Sequence, residues 1–441
     1  MAGAGLVARL RSSARLSALY RGLRGFVLGP PRPPSTVTPP PPKPASDFGI
    51  DLLRRVTPVR SPRPGYRLNL VVPAIDAART FGGIRTALDV FEAVGAGVGE
   101  RRIVSLGGSG SAADDAIGAY VPVDAGADPE IALQFVAHDG HGGPLAVRPG
   151  DVFVATFWTT AEAVGRIRRW QASIYGSAPD RFGYVIQDYE PGFYPSSAHS
   201  VLALATYADA SETIAVFNTS MLRDAFHTAG ITFGQEFAFE PRLLPALRAA
   251  MTLPALARSR TIVVYGRPDT PRNAFPAIID GLATWRATDP GAAGWRVVSV
   301  GQGHPEIDLG GGVLLQSLGK LSLGDYAALL RGSAIGVSLM VSPHPSYPPL
   351  EMAHLGMLVV TNRYGAKDLS AWHPNIRSVD DLSAEAIATL LSELCRLFDA
   401  DPGAGGATQP IRPDFISDAP PFPFADRLAA DLRESAARAF T

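Results

Sequence analysis

The sequence predicts an α/β protein made of two doubly wound parallel-sheet domains that face a central cleft. Three observations carry this expectation. The chain has 441 residues, which at about 100 to 200 residues per domain calls for two domains and a further piece. Apolar runs of roughly five residues alternate with stretches of helical period, the signature of βαβ units. That alternation runs from Tyr66, breaks over residues 231–258 among Phe233, Phe237, Phe239, Pro241, Pro245 and Pro254, and resumes at Thr261.

Residues 1–46 stand apart: they carry Arg9, Arg11, Arg15, Arg21, Arg24, Arg32 and Lys43 and no acidic residue. They read as a basic, proline-rich disordered leader. Residues 6–27 also fit an amphipathic helix, with Leu6, Leu10, Leu16, Leu19 and Leu23 set among arginines, able to lie on an anionic leaflet. Those arginines interrupt every apolar stretch that could serve as a secretory signal. Nine prolines between 30 and 44 favour an extended polyproline segment, and 47–65 read as linker.

The first domain, 66–258, should begin with a strand over 68–72, a helix over 83–94 and a strand over 102–106. A strand at 152–156 and a helix at 158–170 follow, then strands at 184–186 and 213–217, each leading into a helix. Residues 231–258 suit an interdomain connection. The second domain, 259–420, should place strands at 261–265, 295–300, 335–339 and 358–361 between helices at 274–285, 323–330 and 347–355. Residues 421–441 should form a helix packing back on the first domain. Open parallel sheets bind ligands beyond the carboxyl ends of their strands, so two in series imply a cleft between them.

Composition narrows the function. Forty Lys and Arg against 41 Asp and Glu leave a formal charge of −1, so nucleic-acid binding by overall charge is excluded and a basic site must be local. No uninterrupted apolar run approaches the roughly 18 residues of a membrane-spanning helix. The single cysteine, Cys395, cannot form an internal disulfide, and no Cys/His cluster has zinc-ligand spacing; a reducing compartment and no structural zinc follow.

Several strand ends carry candidate chemistry. Gly82 and Gly83 open the first helix and would let backbone N–H groups approach an anion; a tight turn is the plainer reading. The glycine motif at Gly108, Gly110 and Ala113, with Asp124 beyond it, is too compressed for a dinucleotide-binding unit and reads as a loop. The run QDYEPGFYP at 187–195 sets Asp188, Tyr189, Glu190 and Tyr194 where a sugar could be gripped by hydrogen bonds and ring stacking, or a general base or metal ligands supplied. In the second domain Arg267 and Lys320 would lie at strand ends, where two cations could converge on a diphosphate. The segment SPHPSYPPLE at 342–351 contains His344, Ser346 and Tyr347; Ser346 could cap a helix starting near Pro348 and Pro349, whose N-terminus suits an anion, and Glu351 could accept from a ribose diol. No D-x-D falls at a predicted strand end, and Asp399 and Asp401 read as a solvated turn.

Taken together, GYRLNLVVP with FGGI, QDYEPGFYP, VFNTS, VYGRP with RNAF, QSLGKLSLGDYA, SLMVSPHPSYPPLEMAHLG and VTNRYGAKDLS resemble the WsaF-type rhamnosyltransferases, a branch of the retaining GT4 glycosyltransferases. The likeness spans Tyr66 to about Ser378. It implies a GT-B architecture of two Rossmann-like domains, with a dTDP-β-L-rhamnose donor held mainly by the second and a glycan or lipid-linked glycan acceptor held mainly by the first. Arg267 and Lys320 would then neutralise the diphosphate. Glu351 would match the second glutamate of the E-x7-E motif of related transferases, and Gly82, Gly83, Ser346 and Tyr347 would join the donor site. Asp188, Tyr189, Glu190, Tyr194 and His344 would contact acceptor or sugar. The first glutamate of that motif would fall at Pro343, a departure that weighs against an ordinary hexose donor. The resemblance implies a cytoplasmic enzyme needing no metal or other cofactor, adding a deoxyhexose to a cell-surface polysaccharide near the inner leaflet. A GT-B epimerase or hydrolase of nucleotide sugars, or a carbohydrate-binding scaffold, are the other readings of the same residues.

Overall fold

The computed structural model describes residues 53–75, 82–107, 117–177, 181–406 and 409–438; the basic leader and the glycine motif at 108–113 lie outside them. The first element among the described residues is β1 (Arg55–Arg60), a departure from the expected start near Tyr66. This strand pairs in parallel with β6 (His141–Val147), Pro58 opposite Leu145. Its sequence RVTPVR lacks an apolar run, and its proline is tolerated because a two-stranded sheet is all edge.

The first domain is an eight-stranded sheet of β2 (Tyr66–Val72), β3 (Arg101–Ser105), β4 (Val121–Pro122), β5 (Leu133–Ala137), β7 (Gly150–Ala155), β8 (Phe182–Ile186), β9 (Thr213–Asn218) and β10 (Gln235–Phe239). They lie in the order β10-β9-β8-β7-β2-β3-β5-β4, all parallel. Every residue of β7, β8 and β9 is buried, as expected of strands covered on both faces. One face carries α1 (Gly82–Gly95); the other carries α2 (Trp158–Tyr175) and α4 (Ser220–Thr228), with α3 (Ala198–Ala205) packed beside α2. Residues 231–258 are thus more than a connection, since β10 completes this sheet before α5 (Pro245–Met251).

The second domain is a seven-stranded sheet of β11 (Ser259–Gly266), β12 (Arg296–Gly301), β13 (Ile307–Asp308), β14 (Leu314–Ser317), β15 (Ser333–Val337), β16 (Leu358–Asn362) and β17 (Ile376–Val379). Its order is β13-β14-β12-β11-β15-β16-β17, with only the edge strand β13 antiparallel. The helices α6 (Phe275–Thr288) and α9 (Ala384–Ala400) cover one face; α7 (Leu323–Arg331) and α8 (Pro348–His354) cover the other with α5. The last helix, α10 (Ala425–Arg438), returns to the first domain, where Leu428 and Leu432 share a core with Leu88 and Phe91 of α1.

Both sheets change direction beside their first strand, between β2 and β7 and between β11 and β15. Such switch points open a crevice at the carboxyl ends of the strands. At the opposite end of the first sheet lies a buried ionic network. Asp151 accepts from Arg67 (2.7 Å), Asn69 (3.0 Å) and the Arg148 amide (2.8 Å), and Asp128 is bound by Arg67 and Arg148 at 2.7–2.8 Å. Burial would raise the Asp151 carboxyl, but the adjacent Arg67 and Arg102 charges more than offset it and hold it below the usual carboxylate range. Burial, with Arg67 beside it, pushes the Arg102 guanidinium down to about 9.

Candidate active site

A cavity of about 960 Å³ opens between the two domains. From the second domain it is lined by Tyr265 at the end of β11 and Arg267 just after it, residues 301–303 at the end of β12, Lys320 after β14, Tyr326 of α7, and Tyr347 and Glu351 at α8. Arg85, Thr86 and Asp89 of α1 face it from the first. Arg267, Lys320, Tyr347 and Glu351, distant in sequence, therefore border one space because parallel strands deliver their ends to one edge of a sheet. Arg267 is half-buried and Lys320 exposed.

Glu351 holds a defined position. Its Oε2 accepts from the Tyr326 hydroxyl at 3.0 Å. Burial pushes its carboxyl up to about 7, against the pull of that bond. Helix α8 begins at Pro348, as expected, but Ser346 does not cap it: Tyr347 is the capping residue, and no side-chain bond caps the helix. Pro348 and Pro349 carry no N–H, so the donor an N-cap side chain would use at the second helical position is missing. The same prolines leave Leu350 as the main first-turn donor, which weakens the expected anion site at this helix end. Ser346 is buried with φ +68°, and its N–H donates to His344 Nδ1 at 3.0 Å.

The remaining candidates separate from this cavity. Asp188 sits at the junction of the domains, 7% exposed, accepting from the Ser342 hydroxyl and pairing with Arg272 at 3.6 Å. Arg272 stands over the Phe193 ring at 4.0 Å. His344 is buried beside this group; desolvation pushes it down to about 4, so it is neutral, and its Nε2 has no hydrogen-bond partner among the described residues. Lys367, 2% exposed, donates to the Met340 carbonyl and is pushed down to about 7 by burial, with Asp188 opposing the shift. Arg272 and Lys367 were not singled out from sequence, although both fall within motifs of the resemblance, RNAF and RYGAKDLS.

Glu190 and Tyr189 depart from the expected sugar contacts. Glu190 is 2% exposed, and its Oε2 accepts from the Trp158 amide at 2.6 Å and the Tyr184 hydroxyl at 3.0 Å. It caps α2, whose N-cap residue Phe157 supplies no side-chain acceptor. Tyr189 packs on Tyr207 and Phe226 in the first-domain core. Tyr194 accepts from Trp158 Nε1 at 3.0 Å and stacks on His199, so it braces the same helix end. Gly83 does not line the cavity. A Cβ on Gly83 would come within 2.7 Å of Gln187 Oε1, the far end of a flexible side chain that can move aside, so space alone does not require glycine there. Asp399 pairs with Arg260 and Asp401 caps its own turn, at the far end of α9. Among the described residues no group of three His, Cys, Asp or Glu side chains could hold a metal ion, and no helix is long and apolar enough to cross a membrane.

Burial pushes Glu190 up to about 8, with hydrogen bonds from Tyr184 and Trp158 only partly opposing it. A folded-state pKa above the unfolded value makes a contribution that is complete below about 4.5 and is lost as pH rises through about 8. The urea midpoint of the parent should therefore fall between about pH 5 and pH 8.5, whereas Glu190→Gln, which keeps an acceptor for the Trp158 amide, should show a flatter profile.

Two facing doubly wound domains with a ligand-sized cavity at their strand ends define the GT-B glycosyltransferase fold. The same fold is seen in the α,α-trehalose-phosphate synthase (UDP-forming) from Burkholderia xenovorans solved with glucose-6-phosphate, at 11% identity and a TM-score of 0.51 over 84% of this chain and 100% of that one. The E. coli trehalose-6-phosphate structure bound with UDP-2-fluoro glucose matches at 11% identity and TM-score 0.51, over 84% and 97%. The family models for the WsaF N-terminal domain and the WsaF C-terminal domain match residues 67–220 and 260–392. The chain belongs to the WsaF family. Over 213 residues it is 33% identical to the O-antigen biosynthesis protein RfbC of Myxococcus xanthus, a match covering 48% of this chain and 15% of that protein.

Proposed function

We propose that the protein is a retaining glycosyltransferase that moves L-rhamnose, or a similar deoxyhexose, from a dTDP-sugar to a growing cell-surface polysaccharide. The observation that carries this reading is the convergence of Arg267, Lys320 and Glu351 from three separate elements on one interdomain cavity. The family and the O-antigen relative support a polysaccharide setting.

Breaking the bond between sugar and diphosphate builds negative charge on the leaving phosphate. Cations fixed where that charge develops lower the barrier. Arg267 and Lys320 supply them, Glu351 holds the nucleoside sugar, and the departing phosphate accepts the proton of the attacking acceptor hydroxyl. Asp188 then serves as a link between domains through Ser342 and Arg272, not as a base. The enzyme works on the cytoplasmic face of the inner membrane, where lipid-linked acceptors present their glycans.

A donor screen with a short rhamnose acceptor, read by mass spectrometry, tests the reading. It should give acceptor-dependent extension with dTDP-rhamnose, and EDTA should leave the rate nearly unchanged. Turnover without acceptor would favour an epimerase or hydrolase. Loss of activity in EDTA restored by magnesium would replace the cation clamp with a metal.

A further inference from the structure

The two oxygens of Glu351 are not equivalent. Tyr326, carried on α7, donates its hydroxyl to Oε2 at 3.0 Å, which leaves Oε1 as the acceptor that Glu351 presents to the cavity it lines. Burial holds the phenol well above its usual pKa, so it remains a donor. Two further phenols, Tyr265 at the end of β11 and Tyr347 at the start of α8, lie within the field of the same carboxylate. Arg267 lies beside Tyr265 and opposes the rise in its pKa. The carboxylate is thus held by the protein on one side and open on the other.

A vicinal diol binds a carboxylate best in a bidentate way, one hydroxyl to each oxygen. A ribose entering here would bring two hydroxyls to a carboxylate with one oxygen engaged, and its 2′-hydroxyl would compete with Tyr326. A 2′-deoxyribose brings one hydroxyl and meets one free oxygen. We infer that Tyr326 is a specificity-determining residue that, by holding Glu351 Oε2, selects 2′-deoxyribonucleoside diphosphates over ribonucleoside diphosphates. The inference rests on the nucleotide-sugar reading of the cavity and adds to it the residue that sets the sugar preference.

UDP and dUDP differ only in the 2′-hydroxyl, so they test this without a change of base. Calorimetric titration of the full chain should give a dissociation constant for dUDP about tenfold below that for UDP, the scale of one unpaired hydroxyl. In Tyr326→Phe the ratio should fall towards one because UDP binds more tightly, a gain that simple loss of packing would not produce. A ratio near one in the parent, or an unchanged preference in folded Tyr326→Phe, overturns the inference while leaving the nucleotide site in place. Failure of dUDP, UDP and dTDP alike to bind the parent overturns the reading of the cavity, and the inference with it. If circular dichroism shows Tyr326→Phe unfolded, Glu351→Gln takes its place: both nucleotides should weaken and the ratio approach one, and an undiminished ratio overturns the inference.

Discussion

Replacing Arg267 with Ala is expected to lower turnover by about 10² to 10³ with the fold intact, the typical cost of removing one group aimed at developing charge. The half-buried guanidinium sits at the end of β11, on the wall of the cavity, where donor binding would exclude more water and strengthen its effect. Lys320→Ala should act in the same direction but more weakly, about tenfold, since its exposed ammonium is screened by solvent. Steady-state rates with the transferable donor, taken beside circular dichroism, measure both. A loss confined to KM would show that these groups bind the donor without stabilising bond cleavage.

The second large effect lies far from the cavity. Asp151→Ala should cost about 3 to 5 kcal/mol of stability, since breaking a buried ion pair leaves the partner charge uncompensated. The count of partners favours the upper end: Arg67 would lose two bonds, Asn69 and the Arg148 amide one each, and Arg102 its nearby counter-charge, with the Arg67, Arg102 and Asp151 side chains fully buried. Urea denaturation, or loss of soluble protein on expression, checks this. Because Asp151 lies at the amino end of β7, a variant that remains folded should still bind nucleotide.

The doubly wound fold was legible because its central strands are buried on both faces, so that GDVFVA, TIAVFN and SAIGV stand out as apolar runs. Strands β1, β6 and β10 were not, because RVTPVR and HGGPLAV carry proline or glycine at edges and QEFAF lies in a stretch without a clear period. That Arg267, Lys320 and Glu351 border one cavity was legible for a related reason: each sits just past an apolar run or at a proline-marked helix start, where parallel topology gathers them. Asp188 and Glu190 show the limit. They are two residues apart in one polar loop, yet one reaches the domain junction and the other turns inward to cap α2. Only the unsatisfied N-terminus of α2, some thirty residues earlier in the chain, decides between those fates, and nothing local to the loop reports it. Arg272 and Lys367 were missed because a single charge in a loop usually lies in solvent; here Arg272 pairs with Asp188 of the first domain, and Lys367 is buried against the Met340 carbonyl of its own.

The central claim is that Arg267 and Lys320 hold the diphosphate of a bound nucleotide in the interdomain cavity. Titration of dTDP into the parent and into the Arg267→Ala, Lys320→Ala double variant, each shown to be folded, tests it most directly. Saturable binding to the parent, weakened about a hundredfold in the double variant, is the predicted result, the scale of losing two charge-assisted contacts. A folded double variant that binds dTDP as tightly as the parent would contradict it.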